Sequence, residues 1–281
     1  MFSILFADDT NSLASGSNLE QLVSTVNEEL QKVVIWFASN ELSLNIKKTH
    51  FMLFLCKGKY QSSPVSIKIS NEEIKKVDHT KFLGVIIDEK LIWSHHLNCI
   101  KRKAAKGVGV MCKAKKFLNE KTLMTLYYSL VYPYLQYGII AWGTTYQTHL
   151  DPLIEIQKRV IRIISSAPYL AHTEPLFNKL KLLNLRKIYI LNVMMYMFRF
   201  HHAGLPAVFN NLFSLNTEIH RHFTRQANKL HSPHWRLEIV RRSIRVQGVY
   251  YWNELSSQLN LECSRFIFKV NLKKLLCDSN L

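Results

Sequence analysis

Two adjacent carboxylates, Asp8 and Asp9, follow the apolar run Phe2-Ser3-Ile4-Leu5-Phe6 after a single alanine. Hard anionic oxygens at the end of a short strand are what a Mg²⁺ site for nucleotidyl transfer requires. Asp8-Asp9-Thr10-Asn11 also suits an ordinary strand-to-turn junction, because Asp and Asn side chains hydrogen-bond nearby backbone. A second set of chemically suggestive residues is cationic. At roughly 100° per residue, Arg102, Lys106, Lys113 and Lys116 fall together on a flank of one helix, where they serve either as phosphate contacts or as a solvated face. Histidines cluster at His201-His202, His220, His222, His231 and His234. With no cysteines at ligand spacing beside them, they are not expected to bind zinc.

The elements that must position these groups are legible as periodicity. Residues 2–7 read as a strand and Asp8 to Ser17 as a turn and loop. Asn18 or Ser17 caps a helix running to about Ala38, with Leu19, Leu22, Val23, Val26, Leu30, Val33, Val34 and Phe37 on its apolar face. Further strands are expected at Phe51–Leu55, Val65–Ile69, Ile74–Val77 and Lys81–Asp88, with a loop at Gly58–Pro64. From Ser94 the pattern is helical. Leu97, Ile100, Ala104, Val108, Met111 and Leu118 form one stripe, which Gly107 and Gly109 weaken locally. More helices are expected at about Glu120–Leu130, Leu150–Ala167, Glu174–Leu180 and Leu185–His202. In the Leu150 helix, Lys158, Arg159 and Arg162 stand opposite the apolar side. The fold class is therefore α+β, a strand-rich first third followed by helices.

Charge is unevenly placed. The chain of 281 residues carries a net +17. Residues 1–46 hold only Lys32 against six acidic residues, a net −5, which leaves +22 for the remainder. A cationic body beside an acidic edge suits a nucleic-acid channel leading to a metal site. The five cysteines, Cys56, Cys99, Cys112, Cys263 and Cys277, are scattered. That spacing argues against a disulfide framework and fits a reducing compartment. The N-terminus lacks a basic leader before Asp8, so an intracellular protein of the nucleus or cytoplasm is expected, not a secreted one. Thr122–Leu150 carries no Asp, Glu, Lys or Arg and is long enough for a bilayer. Pro133, Gln136 and Gly138 favour instead two buried helices with a break and no membrane. Tyr127, Tyr128, Tyr132, Tyr134, Tyr137 and Trp142 are then core residues.

Several blocks in order carry a resemblance. Phe6-Ala7-Asp8-Asp9 matches a [YF]-A-D-D box. Trp36, Asn40, Leu42, Leu44, Asn45, Lys48, Thr49, Met52 and Phe54 match W-x-x-x-N-x-L-x-L-N-x-x-K-T-x-x-[ML]-x-F. Phe82-Leu83-Gly84 opens a further block running to Asp88, and Tyr137–Gly143, Gln157-Lys158-Arg159, Ser243 and Trp252–Leu255 match C-terminal blocks. The whole chain resembles the C-terminal part of a reverse transcriptase from a non-LTR retrotransposon of the jockey-like kind.

That resemblance implies an RNA-directed DNA polymerase with an RNA template, a DNA primer and Mg²⁺. Asp8 and Asp9 would be metal ligands and catalytic residues, Asp8 the more direct ligand. Lys48 would sit near the leaving pyrophosphate, with an exposed solvated lysine as the alternative. Phe82, Leu83 and Gly84 would form the primer-grip hairpin, or else an ordinary strand with a bulge. The four cations would follow template–primer phosphates. Expected domains are the back half of a palm at 1–90, a helical thumb at 91–148, a helical extension at 149–204, and a loosely ordered basic segment with a small closing element at 205–281. Family elements that precede the Asp-Asp box are not found in this sequence: fingers, the first palm aspartate and an endonuclease. An N-terminally truncated chain, inactive alone, is the expectation. The alternative is a non-catalytic nucleic-acid-binding remnant.

Overall fold

The computed structural model describes residues 1–7, 9–55, 65–219, 226–232 and 234–279. Asp8, Cys56, the expected loop Gly58–Pro64 and the histidines His220 and His222 lie outside the described residues. Two compact units are present, Met1–Lys90 and Leu91–Leu281. The first mixes strands with one long helix, and the second is helical.

Strand β1 (Phe2–Phe6) pairs antiparallel with β2 (Asp9–Leu13), with Phe6 opposite Asp9. The expected loop after Ala7 is thus a second strand. Its sequence, Asp-Thr-Asn-Ser-Leu, has no apolar alternation, so only the pairing reveals it. A two-residue connection needs positive φ, and Ala7 adopts φ 52° there. Ser3 and Ser12 hydroxyls meet across the ladder at 2.9 Å.

Helix α1 (Leu19–Ser39) starts at Asn18, whose side-chain oxygen accepts from the backbone N–H of Glu20 and Gln21 at 2.9 and 3.2 Å. Asn18, not Ser17, is the cap. The helix stops at Asn40, whose Nδ2 donates to the Trp36 carbonyl at 2.7 Å. Val26, Leu30 and Val34 pack on the buried Ile67, Ile69 and Ile74, joined by Leu44, Ile46, Phe51 and Val65. Burying each isoleucine contributes at most about 1.5–3 kcal/mol. Asn27 on the same side of α1 accepts from Lys68 N–H at 2.9 Å, which ties the helix to the strand beneath.

The other strands are short. β3 (His50–Phe51) covers only the start of the expected Phe51–Leu55 strand. β4 (Lys68–Ile69) and β5 (Glu72–Glu73) form a hairpin, and β6 (Lys75–Lys76) pairs parallel with β3. The segment Lys81–Asp88, one strand by its pattern but a hairpin by the resemblance, is a hairpin, β7 (His79–Phe82) and β8 (Val85–Asp88). Leu83 at φ 44° and Gly84 at φ 85° make its turn. Positive φ at both central residues is the two-residue hairpin geometry whose twist matches the strands.

In the second unit, α2 (Ser94–Ala114), α3 (Glu120–Leu130), α4 (Tyr132–Gln136), α5 (Ile139–Trp142) and α6 (Gln147–Ile164) follow one another. Pro133 stands in the first turn of α4 and marks the expected break. Of the aromatics assigned to the core, Tyr127 and Trp142 are fully buried, whereas Tyr137 is 57% exposed and Tyr128 lies at the surface. Leu118, expected in the α2 stripe, falls past the end of the helix and is also exposed. No helix among the described residues is long and apolar enough to cross a membrane.

Helix α7 (Glu174–Leu180) leads to α8 (Leu185–His201), which is mostly buried, with Asn192, Met195, Tyr196 and Arg199 half-buried along one face and Arg186 and His201 exposed. A helix with apolar residues spread around most of its circumference belongs at the centre of a bundle. Around it stand α4, α5, α6 and, after α9 (Asn216–Ile219) and α10 (Glu238–Arg241), the helices α11 (Ile244–Leu255) and α12 (Arg265–Asp278). Val249, Trp252, Leu255, Phe268, Leu272 and Leu276 complete the core. The closing element of 205–281 is thus two helices packed on α8.

Gly107 has a packing role that propensity alone hides. A Cβ there would stand 2.8 Å from the Leu130 carbonyl, so α2 approaches the α3–α4 junction closely. Gly109 faces open space. Cys99, Cys112, Cys263 and Cys277 are free thiols.

Candidate nucleic-acid interface

The residues singled out from the sequence fall into two groups, one in each unit. In the first unit, Asp9 opens β2 at the hairpin turn and is exposed. Its carboxylate has no side-chain partner among the described residues. Lys48 ends a 3₁₀ turn, Ile46–Lys48, which Asn45 caps by accepting from Lys48 N–H at 3.2 Å. Its side chain is exposed, and no interaction joins it to Asp9. Phe82 is half-buried at the end of β7, while Leu83 and Gly84 form the exposed turn.

The residues present are chemically suited to Mg²⁺, though they do not make a complete site. Asp9 offers one hard oxygen at an open turn, and Mg²⁺ is usually held by one or two carboxylates, waters and substrate phosphates. Among the described residues, no group of three metal-ligating side chains includes Asp9.

The second group is better defined. On α2, the buried stripe Leu97, Ile100, Ala104, Val108 and Met111 fixes the rotation of the helix. Arg102, Lys106 and Lys113 then lie within about 40° of one another, diametrically opposite that stripe rather than on its flank. All three are exposed. Lys116 does not share the face, because α2 ends at Ala114 and Lys116 stands in the turn beyond it. Lys101 and Lys103, which flank Arg102, are exposed as well. Lys103 Nζ lies 5.8 Å from the Tyr134 ring centre. Helix α2 contains no acidic residue, and no ion pair engages its cations among the described residues.

The cations of α6 are used differently. Lys158 pairs with Glu155 at 2.8 Å, and Arg162 Nε donates to the Ala171 carbonyl at 2.9 Å. Arg159 reaches the Cys112 sulfur at 3.8 Å. These contacts engage the cations of α6, whereas those of α2 project into solvent. Gln157, on the same helix, is 1% exposed and bridges elements: its Nε2 donates to Tyr127 Oη at 3.0 Å and to the Leu183 carbonyl at 2.9 Å.

A cavity of about 660 Å³, lined by α6, α7, α8 and the α10–α11 region, was not foreseen. Gln157, Tyr189, Arg186 and Arg242 are part of its wall. Burial pushes the Tyr189 phenol up from its ordinary range, with Tyr251 adding to the effect, so it stays neutral. Its hydroxyl is sealed from solvent and has no hydrogen-bond partner among the described residues.

The relatives of this chain are RNA-directed DNA polymerases of mobile elements. The chain is 26% identical over 179 residues to the RNA-directed DNA polymerase from mobile element jockey of Drosophila melanogaster, covering 63% of this chain and 19% of that protein. It is 28% identical over 185 residues to the probable RNA-directed DNA polymerase from transposon BS of the same fly, covering 63% and 20%. Over 108 residues it is 33% identical to the retrovirus-related Pol polyprotein from type-1 retrotransposable element R1 2 of Nasonia vitripennis, covering 37% and 26%. The similarity is thus to jockey-like and R1 non-LTR retrotransposon polymerases, in agreement with the motif resemblance. The chain spans about a fifth of the length of the first two relatives. No family model matches the chain, and no solved structure does.

Proposed function

We propose that the chain is the C-terminal part of an RNA-directed DNA polymerase of a jockey-like retrotransposon. In this reading 1–90 is the back half of the palm, 91–148 the thumb, 149–204 a helical extension, and 205–281 its basic closing region. The carrying observation is the α2 surface: exposed cations, free of ion pairs, set opposite the buried stripe that anchors the helix. Such a face contacts phosphates and gives affinity without sequence information. RNA template and DNA primer are the partners.

Asp8 and Asp9 would hold Mg²⁺, Asp9 from the start of β2. When bound, the metal supplies charge neutralisation at the transferred phosphoryl group. Asp9 contributes an exposed carboxylate, Lys48 an exposed cation for pyrophosphate, and the Phe82-Leu83-Gly84 turn a backbone surface for the primer. Phe2, Leu5, Phe6 and Leu13 are each more than half exposed. Apolar side chains on so short a ribbon suit a surface covered by further palm strands in a longer polypeptide. In this reading the chain by itself does not polymerise, because the fingers and the first palm aspartate that the family resemblance calls for are not found in this sequence.

The test combines primer extension with binding. Purified chain should bind template–primer yet extend no primer. Lys106→Glu with Lys113→Glu should abolish binding, and Asp9→Ala should leave it unchanged. Synthesis that depends on Asp8 would overturn the expected inactivity, and unaltered binding by the charge-reversal variant would overturn the α2 assignment. The second reading, a non-catalytic nucleic-acid binder, needs only the α2 surface, whose exposed cations would contact phosphates without any metal.

A further inference from the structure

Helices α2 and α6 run parallel. At their starts, Thr145 Oγ1 donates to the Ile92 carbonyl at 2.7 Å, and near their ends Arg159 meets Cys112. The turns that follow the two helices therefore emerge at the same end of the pair. Each turn presents large apolar side chains to solvent. After α2, Phe117 is 86% exposed and Leu118 36%; after α6, Tyr169 is 78% and Leu170 86% exposed.

The second turn is built, not loose. Ser166 takes φ 50° to leave the helix, and Ala171 N–H closes on the Pro168 carbonyl at 3.1 Å. That places Tyr169 and Leu170 at the two corner positions, where side chains project outward. Arg162 fastens the turn through Ala171 and lies 6.0 Å from the Tyr169 ring centre. Charge at this end is almost wholly positive. Residues 113–121 hold four lysines against Glu120, and residues 158–172 hold Lys158, Arg159 and Arg162 with no acidic residue.

Outward aromatics interleaved with cations are the composition of a single-strand platform, where bases stack and lysines follow the phosphates. We infer that the end of the α2–α6 pair stacks bases of single-stranded nucleic acid on Phe117 and Tyr169, with Lys113, Lys116 and Lys121 beside the backbone. This rests on the reading of α2 as a nucleic-acid surface and adds to it a preference for unpaired bases. Duplex offers only its phosphates to α2, whereas a single strand offers phosphates and ring faces together.

The experiment uses the full chain and an oligonucleotide carrying 2-aminopurine, single-stranded and as duplex. Wild-type chain should quench the single-strand fluorescence, because a stacked aromatic quenches the probe. Phe117→Ala with Tyr169→Ala should remove the quenching and weaken single-strand binding by about tenfold per ring, with duplex binding unchanged. Both side chains lie outside the core, and an unchanged thermal melt verifies the fold of the variant. Equal quenching and affinity in the double variant overturn the inference. If the Lys106→Glu, Lys113→Glu chain alone loses binding, the α2 surface stands and the platform falls. If wild-type chain binds neither form, both readings fall.

Discussion

The guanidinium of Arg242 lies 3.8 Å over the ring of Tyr146, stacked on the residue that precedes α6. Glu238 holds its Nε at 3.0 Å, and Thr144 Oγ1 donates to the Arg242 carbonyl at 2.8 Å. One side chain thus joins α10 to the α5–α6 junction. Arg242→Ala should lower stability by about 1–2 kcal/mol, the scale of a partly desolvated cation–π contact with its ion pair. Arg242→Lys should recover less than half, since an ammonium cannot stack as a plane. Urea unfolding midpoints check both. A lysine variant equal to wild type would mean that the stacked geometry contributes nothing.

Gln157→Met keeps the side-chain length but removes the donor shared by Tyr127 and Leu183. The Leu183 carbonyl is then left without this partner, and the expected cost is about 1–3 kcal/mol. Tyr127→Phe deletes only one of the two bonds and should cost less. Denaturation of the two variants side by side separates the contributions, and equal midpoints would contradict the ranking.

His96 sits 2% exposed against Trp142. Burial, with the Lys103 charge second, holds its imidazole down to about 4 from an ordinary 6.5. The unfolded chain takes up this proton as pH falls through 6.5, and the folded chain resists until about 4. Its contribution is therefore full above the higher value, declines as pH drops through the window, and is flat below the lower one. At most about 3 kcal/mol is lost across that window. Thermal melts of wild type and His96→Gln should converge between neutral and mildly acidic pH. Parallel curves would mean that another group sets the acid response.

Gly107→Ala should destabilise by about 1–3 kcal/mol despite alanine's better helix propensity, because its methyl meets the Leu130 carbonyl. Gly109→Ala, into open space, should instead stabilise by about 0.5–1 kcal/mol. Opposite signs two residues apart are the outcome to look for in thermal melts. Matching signs would show that propensity outweighs packing at Gly107.

Periodicity made the helices legible: α3 and α7 have their expected bounds, and α1 its cap within one residue of choice. It failed where pairing rather than pattern makes the element. β2 is polar up to Leu13 and has no apolar alternation, and the turn inside Lys81–Asp88 depends on Leu83 taking positive φ, a conformation that residue type does not advertise. The basic set was readable as a stripe, but its separation from the core stripe needed both to be placed on one helix. Lys116 was lost because the helix ends before it. Phe117 and Tyr169 were invisible for a different reason. An aromatic in sequence gives no sign of facing solvent, and both stand in turns set by the ends of helices packed side by side.

Among the described residues the β1–β2 ribbon pairs with no third strand and carries exposed apolar residues, while α8 packs against α4, α5, α6, α11 and α12. Two strands alone are marginal in water, whereas a central helix opens only when the whole unit unfolds. The chain therefore carries two clocks. Amides of residues 2–13 should exchange with deuterium within seconds, and a protease should clip the chain there first. The amides of α8 should persist in the same sample for as long as the helical unit survives.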